Sequence, residues 1–188
     1  MSKEQIIGII VAAIIGISGW VTFLYNYISN QPKIIGRLFT VVPGAWQEKN
    51  MTTYLCYLYL TNQRKAAVHL LDYDLEVDFG EGFNKLNRVY GLGNRKDINF
   101  FDMSGKQIVI PDFHKQLIYN KDSLVQFGIP IHGFIMFAGD ASYYGKKAKR
   151  YRLTCIDAFG KKHIVVTKPE DFGNLYLLQD LTGIRFPR

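Results

Sequence analysis

Four carboxylates stand at alternate positions between residues 72 and 78: Asp72, Asp74, Glu76 and Asp78, interleaved with Tyr73, Leu75, Val77 and Phe79. On a β-strand this alternation puts the acids on one wet face and the apolar side chains on the other, with neighbouring carboxylates roughly 6.5 to 7 Å apart. That spacing is loosely compatible with a glycosidase acid/base pair. Such a pair also needs a cleft and a carboxyl raised by burial, and an exposed strand face supplies neither. A divalent cation needs oxygens converging at about 2.3 to 2.6 Å, which a looped site provides and a flat ladder does not. A structural role fits better. Arg150, Arg152 and Thr154 share one face of a later segment whose alternate residues, Tyr151, Leu153 and Cys155, are apolar. Opposite charges facing each other across strands are stabilising, so the two segments are expected to share a sheet with complementary outer faces.

The second candidate is a basic stretch from Asp140 to Arg150, where Tyr143 and Tyr144 sit beside Lys146, Lys147, Lys149 and Arg150. It reads as a hairpin tip. Stacking rings plus cations suit a single-stranded nucleic acid, the same ingredients suit an anionic lipid surface, and the plain alternative is a solvated turn. Lys161, Lys162 and His163 form a second basic turn. His69, His114, His132 and His163 have no metal-ligand spacing and no cysteine at short range. Asp78-Phe79-Gly80 matches a kinase tripeptide without the glycine-rich loop and catalytic loop that should precede it. Gly91-Leu92-Gly93 lacks the third glycine of a dinucleotide fingerprint. Neither Cys56 nor Cys155 has a local motif that would activate it. The sequence therefore reads as a protein that is not an enzyme, with no cofactor, no metal and no small-molecule substrate.

These surfaces are carried by a chain organised around one segment. Ile6 to Tyr25 reads IIGIIVAAIIGISGWVTFLY, with no charged residue. At about 1.5 Å per residue its twenty residues reach about 30 Å, the thickness of a bilayer's hydrocarbon core. A cleavable signal peptide would be shorter and end in small residues; here Phe23, Leu24, Tyr25, Asn26 and Tyr27 follow, so the segment is read as a retained transmembrane helix. Trp20, Tyr25 and Tyr27 are its interface anchors, since amphipathic rings favour the headgroup level. Gly8, Ala12, Gly16 and Gly19 fall along one helical stripe, the small-residue pattern through which membrane helices pack, here with a second copy of the chain.

The expected organisation is a tail over 1–5, the helix over 6–25, a stalk over 26–33 and one domain over 34–188. The last spans about 155 residues, room for one sound core. With 48% hydrophobic residues overall, it is no disordered tail. The net charge of +7 lies after the helix, because Lys3 and Glu4 cancel. Lys33 and Arg37 on the C-terminal flank favour a cytoplasmic domain on a plasma (inner) membrane, and two isolated cysteines suit a reducing compartment, with a Cys56–Cys155 bridge as the alternative for an exported domain.

Strands are expected at 34–42, ending at the Pro43-Gly44 turn pair, and at 52–61, apolar on both faces as in a central strand. More are expected at 72–79, 86–90, 106–110, 124–129, 133–137, 150–158 and 163–167. A short helix is expected only within 170–181. Many short strands punctuated by turn residues predict a mainly β protein, an antiparallel β-sandwich behind a single transmembrane helix. The nearest named architecture is immunoglobulin-like, with Cys56 and Cys155 in facing strands. Their separation is long for that fold's cysteine pair, no tryptophan stands between them at the core position, and Tyr151 is misplaced for a tyrosine corner. The functional expectation is a membrane-anchored interaction module, an accessory or sensor subunit that binds another protein, with polyanion binding at the basic tip as the alternative.

Overall fold

The computed structural model describes residues 2–46, 49–90, 97–102, 105, 107–118 and 123–173. It opens with α1, Lys3–Asn30, capped by Ser2. The Ser2 hydroxyl accepts from the Gln5 amide while the Gln5 side chain accepts from the Ser2 amide, a reciprocal capping box. The 28-residue helix is about 42 Å long at about 1.5 Å per residue. It outruns the expected span at both ends, and the stalk shrinks to Gln31–Lys33. Its interior hydroxyls are satisfied within the helix, Ser18 donating to the Ile15 carbonyl and Thr22 to that of Ser18, which lets them sit in lipid.

The domain is mainly β, with an antiparallel sheet that nearly closes on itself. Its strands are β1 (Ile34–Trp46), β2 (Met51–Asn62), β3 (Val68–Asp78), β4 (Phe83–Arg88), β5 (Ile98–Phe101), β6 (Gln107–Ile110), β7 (Leu124–Val125), β8 (Ile131–Asp140), β9 (Arg150–Asp157) and β10 (Lys162–Thr167). The order around the sheet is β1-β2-β8-β4-β3-β9-β10, with β7 added beside β3 and β5-β6 as a separate hairpin. At the seam between β10 and β1, the Leu38 amide donates to the Thr167 hydroxyl. A short 3-10 turn, Pro169–Asp171, then leads the chain across that seam, and the Gly173 amide donates to the Phe39 carbonyl. The immunoglobulin-like expectation is thus refined to one curled sheet.

Alternation along the strands makes two cores. Tyr54, Cys56, Leu58 and Leu60 of β2 point inward to meet Tyr73, Leu75 and Val77 of β3, Ile135 and Phe137 of β8, and Leu153 and Cys155 of β9. The opposite face of β1, β2 and β8 carries Phe39, Tyr57, Phe134 and Met136, which are covered by Ile98 of β5, Ile108 and Ile110 of β6, and Phe113 of the short helix α2 (Phe113–Gln116). This second cover is why β2 reads as apolar on both faces. Gly133 allows it: a Cβ there would lie 2.8 Å from the Gln116 carbonyl oxygen and 2.9 Å from the Ile118 backbone.

Three local expectations are corrected. Pro43 and Gly44 are no turn, because β1 stays paired with β2 through them, Pro43 opposite Tyr54 and Gly44 opposite Thr53. An edge strand tolerates the missing amide donor. The 124–129 segment holds only the two-residue β7, and Gln126–Pro130 is an exposed loop. The stretch 140–150 is not a hairpin tip, since β8 and β9 do not pair. Of the helix expected within 170–181, only Glu170 and Asp171 are helical, in the 3-10 turn Pro169–Asp171, and 174–181 lie outside the described residues, as do Gly91 to Gly93.

Candidate functional site

The acidic ladder and the arginine face do meet. In the β3-β9 pairing Glu76 lies opposite Arg152 and Asp78 opposite Arg150. Arg152 donates to both Glu76 oxygens at 2.5 and 2.7 Å. Arg150 donates twice to Asp78 Oδ2 at 3.0 and 2.6 Å, and the Gly80 and Gly82 amides donate to Asp78 Oδ1. Asp74 pairs with Lys85 at 3.0 Å and Asp72 with Arg88. Hydrogen bonds from Arg152 hold the Glu76 carboxyl below the usual carboxylate range, and those from Arg150 and the glycine amides do the same for Asp78. Each of the four carboxylates is engaged by a cationic side chain. No group of three or more carboxylates, histidines or cysteines suited to a metal occurs among the described residues.

The basic stretch comes apart in the fold. Arg150 belongs to Asp78. Tyr143 is half-buried, its ring 5.0 Å from that of Phe79, and Lys146 lies over both rings at 5.7 and 5.8 Å. Tyr144, Lys146, Lys147 and Lys149 stay exposed. This connection sits where β3 ends and β9 begins, the opposite end of the sheet from the helix. The eight residues of β9 separate the two ends by about 25 Å.

Cys56 and Cys155 are free and buried in the inner core. Burial pushes both thiols up, Cys155 to about 12; they are inert core residues.

At the helix end, the structure assembles surfaces that sequence spacing did not reveal. Two buried polar side chains organise them. Asn62 Oδ1 accepts from the amides of Lys33 and Arg64, at 3.1 and 3.0 Å; its Nδ2 donates to the Ala66 carbonyl at 2.6 Å, and its own carbonyl accepts from Gly128. One residue thereby ties together the helix exit, the β2-β3 loop and the β7-β8 loop. Asp157 Oδ1 accepts from the amides of Phe159 and Lys161, both at 2.9 Å, and its Oδ2 meets His163 Nε2 at 2.9 Å. Burial alone would raise the Asp157 carboxyl, but these hydrogen bonds hold it below its ordinary value.

Contacts then join the helix to this end. Arg64 donates to the Ile28 carbonyl in the last helical turn. Lys161 donates to the Gln31 side chain at 3.3 Å and the Pro32 carbonyl at 3.5 Å. The helix itself buries no residue. Trp20, Tyr25 and Tyr27 are exposed, and Phe23 links two of the three anchors, edge-on to Trp20 and stacked on Tyr27. Along the small-residue stripe, nothing lies within 4 Å of a Cβ placed at Gly8, Gly16 or Gly19. Ala12 is exposed beside them, and Ile15, Gly16, Gly19, Trp20 and Phe23 line a shallow groove.

No protein-family model matches the chain, and no curated protein matches it. Among solved structures, the fold is similar to that of a presumed lipoprotein (YcdA) from Bacillus subtilis, 11% identical, with a TM-score of 0.42 over 80% of this chain and 40% of that one. A second presumed lipoprotein, from Staphylococcus aureus, is 11% identical, with a TM-score of 0.39 over 75% of this chain and 87% of that one. This chain itself is an apolar N-terminal helix followed by a curled antiparallel β domain.

Proposed function

We propose that this chain is a membrane-anchored recognition module, an accessory or sensor subunit whose β domain binds another protein at the bilayer surface. The observation that carries the anchoring is α1. It is 28 residues long with a mean hydropathy of 2.4 over its most apolar window, and it buries nothing against its own domain. A helix that apolar has no stable place in water, whereas lipid satisfies it fully.

The partner surface is the outer face of β9 and β10. Ile164 and Val166 are 61% and 54% exposed there, beside Ile156 and Thr154 across the strand pair. An exposed apolar strip on the outer face of β10 suits a partner that packs on that face. Support for a cytoplasmic domain on a plasma (inner) membrane comes from Lys33 and Arg37 on the C-terminal flank of the helix against a cancelling Lys3 and Glu4 at its start. The two free thiols agree with it. Self-association through Gly8, Ala12, Gly16 and Gly19 is the assembly mode that the open stripe suits.

The test is photocrosslinking from position 166 in native membranes. The reading expects one discrete heteromeric adduct that is lost when Ile164→Lys is added. Absence of any adduct, or one that survives Ile164→Lys, rejects the β10 face as the partner surface.

A further inference from the structure

We infer that the helix-proximal end of the domain is a second membrane contact, a rim that seats the domain on anionic lipid headgroups. The inference rests on the anchoring role of α1.

Three connections and the linker make the rim. Gln63–Ala67, Gln126–Pro130 and Ala158–Lys161 reach it from the β2-β3, β7-β8 and β9-β10 turns, beside Gln31–Lys33 at the helix exit. Phe159 is 84% exposed, the most exposed large apolar side chain described in the protein. Phe127 and Ile129 stand out from the neighbouring loop. Nothing in a water-soluble turn calls for a phenylalanine there, and Asp157 holds that turn in place through the Phe159 and Lys161 amides. Around these apolar groups stand Lys33, Arg64, Lys65, Lys161 and Lys162, and none of these segments contains an Asp or Glu. Cations mixed with protruding aromatic and aliphatic side chains match a headgroup layer, where the rings enter the acyl boundary and the charges meet phosphates.

The height of the rim decides its ligand. Arg64 holds the Ile28 carbonyl and Lys161 reaches Gln31 and Pro32. Both lie within two helical turns of the Tyr25 and Tyr27 rings, about 11 Å at 5.4 Å per turn. A helix whose aromatic anchors sit at the interface therefore delivers these cations to the phosphates. The other basic cluster, Lys146 to Lys149, is carried at the far end and faces away from that bilayer.

The full chain, reconstituted into vesicles, tests this. A polarity-sensitive dye is attached at Ala158→Cys, or at Lys147→Cys on the far end; Cys56 and Cys155 are buried and stay unlabelled. In phosphatidylcholine vesicles with about 30% phosphatidylglycerol, the 158 dye is expected to shift to the blue and be quenched by lipid-borne nitroxide. The 147 dye is expected to stay aqueous. Lys65→Ala and Lys162→Ala should each lower the docked-to-undocked ratio about fivefold, and Phe159→Ser should abolish quenching in an otherwise folded protein. An aqueous 158 dye, or one equally quenched without phosphatidylglycerol, overturns the inference. Alkaline extraction of the same vesicles separates the two failures: a chain that washes off loses anchor and rim together, whereas one that stays while the 158 dye remains aqueous loses the rim alone.

Discussion

Replacing His163 by alanine probes the hub that shapes the rim. Asp157 and His163 are almost fully buried, with side chains 1% and 5% exposed. In the native protein Asp157 has three partners, and His163→Ala removes the one on Oδ2, leaving a buried carboxylate oxygen unpaired. Leaving a buried acceptor without its hydrogen-bond partner costs about 1 to 3 kcal/mol, and more when the acceptor is charged. Asp157 keeps two amides on Oδ1 but its orphaned oxygen belongs to a carboxylate, which puts this case at about 3 kcal/mol. For a domain of this size that is a fall of about 6 to 12 °C in Tm. The sign with pH follows from Asp157. Its folded carboxyl lies below its unfolded value, so its stabilisation is fully present above about pH 4 and is lost as pH falls through the folded pKa. The gap between wild type and variant should therefore be widest near neutrality and narrow below about pH 4. Adding Asp157→Asn to His163→Ala should recover part of the loss, because the unpaired charge goes. Thermal and urea unfolding followed by circular dichroism measure all of this. A loss under about 1 kcal/mol at neutral pH, or a double variant no better than the single, would refute the reasoning.

Other outcomes follow from the packing and the charges. Phe113→Ala empties a site covered by Phe134 at 6.0 Å and should cost about 3 to 5 kcal/mol by urea unfolding; a smaller loss would mean that α2 does not seal the outer core. Gly133→Ala drives a methyl into the backbone at Gln116 and Ile118, and should cost about 1 to 3 kcal/mol or more, whereas the same change at the open Gly8 should leave domain unfolding unmoved. Arg152→Glu sets like charges against Glu76 and should lower Tm, and the swap Glu76→Arg with Arg152→Glu should restore much of it. Cys56 and Cys155 should resist a maleimide in the folded protein and both react in denaturant; labelling without unfolding would contradict their burial.

Much of this fold is legible in residue periodicity because it rests on alternation. The 72–78 ladder announces a strand with one buried face, and its match with Arg150 and Arg152 anticipates pairs separated by 72 and 76 residues of chain. The both-face apolar run at 52–61 announces a central strand. What it cannot announce is that its second face lies beneath β5, β6 and α2, since Ile98–Phe101 is too short to stand out. Pro43-Gly44 misleads because local turn propensity yields to edge-strand pairing. The 140–150 stretch misleads as a hairpin because composition cannot say which strands a loop connects; of its four cations Arg150 is held by Asp78, and Lys146, Lys147 and Lys149 stay exposed. The rim is hidden for the same reason. Arg64, Phe127, Phe159 and Lys161 are scattered over almost a hundred residues, and only the curl of the sheet and the hydrogen bonds of Asn62 and Asp157 bring them to the helix. The sequence signal for it is the basic turn at Lys161 and Lys162.

The account depends most directly on α1 spanning a bilayer with the domain on the cytoplasmic face. Its decisive measurement is alkaline extraction of the full chain from native membranes, combined with an impermeant thiol reagent on Lys147→Cys in intact and in opened cells. The account predicts a chain that stays with the membrane and a residue 147 that reacts only after opening. Release of the chain by alkali would contradict the anchor itself, and labelling in intact cells would contradict the cytoplasmic placement of the domain.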